Sequence, residues 1–258
     1  MVNTHKGYVR VSNEDRVSII LNAQNKFWKM GKKQDSILSF SMFSVFDGHG
    51  GINCCNFLKE KLHNMLIKDL DLEGLLIPSI KEIYKKLDEE YLDIAIKNKH
   101  HFSGSCAITA MILNKTMVII NSGDCRALMS ADGGTRVIEG SFDHKPGNIT
   151  EFNRVIENGG ELYRMSSNIK TGQNNFYFVS NYSKLKKINE LKKTSKNMLF
   201  GPWRVKPGGL SVARSFGDLE SKIPQFGGRS GPITSEPDIF EYDIEGLDFV
   251  FLACELIR

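Results

Sequence analysis

The sequence predicts an α+β fold in which antiparallel sheets lie sandwiched between layers of helices. Three observations point there. Strand-like runs are separated by hairpin-sized turns, "NK" at Asn114 and Lys115 and "ADGG" at Ala131 to Gly134. Amphipathic helices follow one another as a pair instead of alternating singly with strands, which argues against a wound βαβ sheet. The 258 residues, 41% hydrophobic and 25% charged, suffice for a sizeable core.

In chain order, "RVSIILN" (16–22) and "ILSFSMFSVF" (37–46) are rich in β-formers. In the second, Phe43 and Val45 alternate with Phe40, Met42, Ser44 and Phe46, so both faces are apolar and the strand is expected to be covered on both sides. After Gly51 the period changes. Leu58, Leu62, Met65 and Leu66 share one helical face, and Pro78 opens a second helix in which Ile80, Ile83, Leu87, Tyr91 and Ile94 recur at three and four residues. "GSCAITAMIL" (104–113) and "TMVIIN" (116–121) form one hairpin, and "RALMS" and "TRVI" form a second around "ADGG". "TEFNRVIENGG" reads as a short helix with Thr150 as N-cap and Gly159 past its end. Residues from about Glu161 to Pro207 keep no consistent period and read as a long insertion within a single domain over 1–258. Strands resume with "IFEYDI" (239–244) and "LDFVFLAC" (247–254).

The bulk numbers exclude several classes. A formal net charge of +4 is small, and its lysine excess sits largely in "KLKKINELKK" (184–193), which reads as a solvated face, with no nucleic-acid partner expected. Five cysteines without a Cys-x-x-Cys give neither a disulfide framework nor a zinc site, and fit a reducing compartment. "MVNTHKGYVR" has no signal-peptide core, and no apolar run approaches the ~20 residues of a membrane span. A cytoplasmic or nuclear protein without membrane attachment is expected.

Acidic residues recur at strand ends: Glu14 and Asp15 in "RVSNED", Asp47 in "SVFDGHGG", Asp143 in "DHKP", Asp218 in "GGLSVARSFGD" and Glu255 after "LDFVFLAC". Taken singly, each reads as a solvated turn residue or a helix cap, and Asp-Gly is a common hairpin corner.

Together, "RVSNED", "SVFDGHGG", "SGSCAI", "NSGDCRAL", "DHKP" with "RVIENGG", "GGLSVARSFGD", "EPDI" and "DFVFLAC" occur in the order found in the metal-dependent serine/threonine protein phosphatases of the PP2C (PPM) family, which this chain resembles over nearly its whole length. "GPWRVKPGGLSVARSFGD" is similar to forms found in ciliate and other protist members. The resemblance implies an α-β-β-α sandwich of two antiparallel sheets flanked by helix pairs. It also implies a pair of Mg²⁺ or Mn²⁺ ions, with a third weaker site, and phosphoprotein substrates. By family pattern Asp47 bridges both ions and the Gly48 carbonyl ligates one; Asp218 and the residue at Glu255 ligate the other. Glu14 and Asp15 hold metal-bound waters, and Asp143 with Asp218 matches the third site. Hard cations suit such oxygen-only donors. The resemblance further implies hydrolysis by a bridging hydroxide, His49 protonating the leaving alkoxide and Arg10 gripping the phosphate. Trp203 and Phe200 read as packing inside the insertion, and Arg214 as structural.

The family pattern breaks at the end. Relatives continue "ACDG" into a Trp-Asp pair, a helix and a last strand, whereas this chain reads "ACELIR". Glu255 stands where the family has aspartate, and its extra methylene moves the carboxylate by ~1.5 Å. A displacement of about 1 Å costs on the order of a hundredfold in rate. An incomplete C-terminus is expected to leave a sheet edge unpaired and apolar surface exposed. Two functions stay open on these residues: an active phosphatase, and a catalytically impaired pseudophosphatase that serves as a binding or regulatory module.

Overall fold

The computed structural model describes residues 2–8, 10–27, 36–69, 76–98 and 102–254. The chain divides into two compact units, one of Met1–Asp143, Ser215–Gly217 and Ser235–Arg258, the other of His144–Arg214 and Asp218–Thr234.

In the first unit, β1 (Arg16–Phe27), β2 (Ser36–His49), β3 (Gly104–Leu113), β4 (Thr116–Ser122) and β11 (Asp238–Asp243) form one sheet in that order, with the two-residue β10 (Phe216–Gly217) added to β3. A second sheet has the order β12 (Leu247–Ala253), β5 (Arg126–Ala131), β6 (Arg136–Glu139). Every strand pair in both is antiparallel, as the hairpin turns in the sequence require.

Two helices cover the first sheet. In α1 (Asn53–Asp69), Leu58, Leu62 and Leu66 fall four apart and are buried beside Cys54 and Cys55. In α2 (Leu76–Lys97), Ile80, Ile83, Tyr84, Leu87, Tyr91 and Ala95 make the buried stripe, and Pro78 sits in the first turn, where its missing N–H costs no helical bond. These stripes meet Phe40, Met42 and Phe46 of β2, Ala107 and Met111 of β3, and Val118 and Ile120 of β4 in one core. The opposite parity of β3 and β4, including Ile108, Ala110 and Ile119, is buried as well, so these central strands are covered on both faces.

The outward face of the second sheet differs. Phe249, Phe251 and Val137 are each more than half exposed, where the expected sandwich has a further pair of helices. The remaining helices belong to the second unit.

That unit is built on an antiparallel sheet of order β8 (Asn174–Val179), β7 (Glu161–Asn168), β9 (Met198–Lys206), with α3 (Ile149–Glu157), α4 (Tyr182–Thr194) and the short α5 (Leu219–Lys222). The stretch read as an aperiodic insertion, about 161–207, therefore holds three strands and a helix. Its period was hidden because the strands carry apolar residues on both faces: Leu162, Val179, Trp203 and Val205 point into a core, while Phe176, Phe178 and Met165 alternate with them toward solvent. Trp203 packs there as expected; its Nε1 donates to Asn189 Oδ1 at 3.0 Å, and the Arg164 guanidinium lies 5.3 Å from its ring and 5.6 Å from that of Phe200.

Helix α3 begins two residues earlier than the sequence suggested. Asn148, not Thr150, is the N-cap, because a Lys145–Asn148 turn (Asn148 N–H to Lys145 carbonyl, 2.9 Å) delivers the Asn148 carbonyl to the Phe152 N–H at 2.8 Å. Gly159 follows the helix end with a positive φ of 76°, as anticipated. Among the described residues no helix is long and apolar enough to cross a membrane.

Candidate active site

The first unit brings two of the acidic motifs together. β1 begins with Arg16 opposite Phe46, so Glu14 and Asp15, just before it, run beside Asp47 and Gly48 at the end of β2. Contact there is close: a Cβ on Gly48 would run into the Glu14 carbonyl oxygen and lie 3.0 Å from Cys55 Sγ. Glycine is thus needed at position 48 because a neighbouring main chain fills the place of its side chain.

The segment before β1 is tied to the start of α1. Cys55 Sγ donates to the Glu14 carbonyl at 2.7 Å, and Arg16 Nε donates to Asn56 Oδ1 at 2.6 Å. The same guanidinium donates through Nη1 to the Asn13 carbonyl at 3.0 Å and the Asp15 carbonyl at 2.7 Å, while Asn13 Oδ1 accepts from Asp15 N–H at 2.9 Å. Arg16, Asn13 and Asn56 are positioning residues that sequence reasoning did not single out, although Asn13 and Arg16 flank the quoted acids. Burial pushes the Cys55 thiol up, against the pull of Arg16. Arg10 lies exposed in the segment leading to this turn.

On the other side of β2, Asp47 pairs with Cys106, Gly48 with Ser105 and His49 with Gly104. Cys106 Sγ lies 3.5 Å from Asp124 Oδ1, and its thiol is pushed well up by burial first and then by the carboxylates of Asp124 and Asp47. Asp124 thereby joins the acidic group. It was present in the quoted "NSGDCRAL" but lacked any spacing that marked it. Gly123 just before it has no room for a Cβ, which would collide with the Cys106 side chain.

Asp143, which ends the first stretch of this unit, accepts from Arg126 Nε at 2.8 Å and its side chain is 8% exposed. That hydrogen bond is the main cause holding the Arg126 guanidinium above its ordinary pKa. One of the Asp143 oxygens is therefore engaged by an arginine that the sequence reading had not assigned.

In the second unit, Asp218 is nearly buried and has a left-handed backbone, φ 58° and ψ 56°, as the residue capping α5. Its carbonyl accepts from Ser221 N–H at 2.8 Å while its side chain makes no cap bond. A non-glycine residue in this region carries strain, and strain of this kind concentrates at functional positions. The segment before Asp218 is anchored by a buried ion-pair network: Glu151 on α3 accepts from Arg214 Nη2 at 2.6 Å and Arg154 Nη2 at 2.9 Å. Arg154 also donates to the carbonyls of Ala213 at 2.6 Å and Gly231 at 2.9 Å. Burial alone would raise the Glu151 pKa, yet Arg214 and Arg154 together hold it below the usual carboxylate value. Arg214 is structural, as expected.

Glu255 lies outside the described residues. Among those described, no three His, Cys, Asp or Glu side chains gather into a metal-holding group by themselves. What surrounds the end of β2 is a hard-oxygen set, the Asp47 carboxylate and the Gly48 main chain beside Asp15, and that donor chemistry fits Mg²⁺ or Mn²⁺.

The model of the family described as Protein phosphatase 2C matches residues 3–257. "Probable protein phosphatase 2C 27" from Arabidopsis thaliana is 29% identical over 216 residues, covering 83% of this chain and 45% of that protein. "Probable protein phosphatase 2C 52" from Oryza sativa subsp. japonica is 31% identical over 216 residues, covering 83% and 34%. This chain thus spans less than half the length of these two relatives. Among solved structures, a C. elegans sex determining protein superposes with a TM-score of 0.60 at 21% identity, covering 92% of this chain and 50% of the other. Serine-threonine phosphatase 2C from Toxoplasma gondii does so at 0.51 and 17%, covering 92% and 76%.

Proposed function

Because the chain belongs to the protein phosphatase 2C family, we propose that it is a protein serine/threonine phosphatase whose single domain, 1–258, hydrolyses phosphoserine and phosphothreonine in phosphoprotein substrates of the cytoplasm or nucleus. The observation that carries this reading is the end of β2, where Gly48, between Asp47 and His49, packs against the Glu14 main chain.

Asp47 and the Gly48 carbonyl would be the primary metal ligands, and Asp218 and Glu255, with Asp143 more weakly, would keep the ligand roles that the family motifs give them. Glu14 and Asp15 would orient waters of such a metal's shell. A pair of Mg²⁺ or Mn²⁺ ions, when bound, supplies water made acidic enough to attack at neutral pH. His49 holds the proton that the seryl or threonyl oxygen takes up as it leaves, a task suited to an imidazole with an unperturbed pKa of ~6.5. Arg10 grips phosphate oxygens; its exposure in the entry segment leaves the guanidinium available to a substrate.

The test is hydrolysis of p-nitrophenyl phosphate and of a phosphothreonine peptide by the purified chain across a MnCl₂ titration. Turnover that rises with Mn²⁺ and vanishes in Asp47→Asn is expected. No turnover at millimolar Mn²⁺ from protein that is folded by circular dichroism would overturn the enzymatic reading in favour of a binding role.

A further inference from the structure

The solvent face of the sheet in the second unit is aromatic and carries positive charge. Strand register sets Phe178 of β8 opposite Tyr163 of β7, and Phe176 opposite Met165, so these side chains stand together on one face. Phe176, Phe178 and Met165 are 57%, 53% and 42% exposed. The Tyr163 ring stacks on that of Phe178 with centroids 5.8 Å apart and lies 6.4 Å from that of Phe176. β9 adds Arg204, opposite Tyr163, and Lys206, opposite Glu161. The Lys206 ammonium lies 4.9 Å from the Phe178 ring centroid and 5.6 Å from that of Tyr163, close enough for the negative faces of the rings to hold it. The other face of the sheet is covered. Leu185 and Ile188 of α4 pack there with Leu162, Val179, Trp203 and Val205, which puts that helix and its lysine run behind the sheet.

We propose that this face docks an acidic protein segment in which Asp or Glu flanks aromatic or branched apolar side chains. An exposed apolar patch bordered by polar groups marks an interaction surface. The charge on the patch selects the partner: across β7, β8 and β9 the only acid is Glu161, set against Arg204 and Lys206 on the same face. A second copy of this chain would bring like charge against like charge across a two-fold axis. A nucleic acid would need a track of cations along its phosphates, and the lysine run that could supply one is on α4, behind the sheet. An acidic segment needs only what the face presents: carboxylates meet Lys206 and Arg204 while its apolar side chains cover Phe176, Phe178 and Met165. Tyr163 and Lys206 already hold the Phe178 ring, so little side-chain freedom is lost on docking. The proposal goes beyond the hydrolytic reading and does not depend on it.

The experiment is fluorescence anisotropy of a labelled, unphosphorylated peptide in which Asp and Glu flank a pair of phenylalanines, titrated with the purified chain in EDTA. The wild type should bind it, with affinity that falls as salt rises, and should not bind the same peptide with Lys in place of every acid. Phe178→Ser, at an exposed position, should weaken binding on the order of tenfold. Lys206→Glu turns the charge of the face over and should take the lysine peptide in preference to the acidic one, an outcome that misfolding cannot produce. No binding by the wild type, equal affinity in Phe178→Ser, or loss of binding without that switch in Lys206→Glu would overturn the proposal. Oligouridine that binds the face more tightly than the acidic peptide would overturn it in favour of nucleic acid. Self-association in sedimentation velocity that Phe178→Ser abolishes would overturn it in favour of a second copy. Neither metal nor phosphate enters the readout, so its failure is distinguishable from failure of the phosphatase reading.

Discussion

The carbonyl oxygen of Glu14 occupies the space that any side chain at Gly48 would need. Two motifs separated by more than thirty residues are thereby locked together, and the carboxylate of Asp47 is held next to the segment that carries Asp15. Gly48→Ala forces that contact open. Overpacking of this kind costs about 1–3 kcal/mol, and a shift of about 1 Å in a ligand costs on the order of a hundredfold in rate. Urea denaturation should show the stability loss, and Mn²⁺-dependent turnover should fall by that order while the protein stays folded. Wild-type turnover in Gly48→Ala would contradict the close approach.

Asp218 separates backbone strain from chemistry. Its φ of 58° favours glycine, so Asp218→Gly should melt within a few degrees of the wild type. Asp218→Ala, with no polar side chain to ease the left-handed geometry, should be about 1 kcal/mol less stable than Asp218→Gly. Both should lose metal-dependent turnover. Thermal melts and p-nitrophenyl phosphate assays on the pair distinguish a ligand from a cap.

Glu151 predicts an acid-sensitive second unit. Its pKa is held below the usual ~4.3 of a glutamate. The stability it adds is therefore present above that unfolded value and is lost as pH falls through the lower folded one. Breaking a buried pair costs about 3–5 kcal/mol, so Glu151→Gln should be destabilised by that amount at pH 7. The gap between wild type and variant should narrow as pH drops from ~5 toward 3, read as urea midpoints. A gap independent of pH would show that the carboxylate charge is not what anchors Arg214 and Arg154.

Family membership and the mixed antiparallel architecture were legible because the motifs keep their order and the hairpin turns keep their length. The acids at the strand ends were legible as residues. Their surroundings were not. Nothing in "SVFDGHGG" says that Glu14 fills the place of a side chain at Gly48, since that contact arises from strand register, not from local pattern. Asp124 sat unmarked inside a quoted motif for the same reason, and Arg126 became the partner of Asp143 only once β5 was placed. In the segment 161–207, alternation was concealed by aromatic residues on the solvent side of β8, which a binary apolar/polar pattern reads as noise. The cap of α3 moved to Asn148 because a preceding turn, invisible in propensity, had already delivered its carbonyl.

We propose that the end of β2 holds a divalent cation through Asp47. Anomalous diffraction from a crystal soaked in MnCl₂, collected near the manganese edge, tests it most directly. A peak is expected at coordinating distance, ~2.1–2.3 Å, from an Asp47 carboxylate oxygen, lost in Asp47→Asn. Well-ordered Asp47 and Gly48 with no anomalous peak beside them would contradict it.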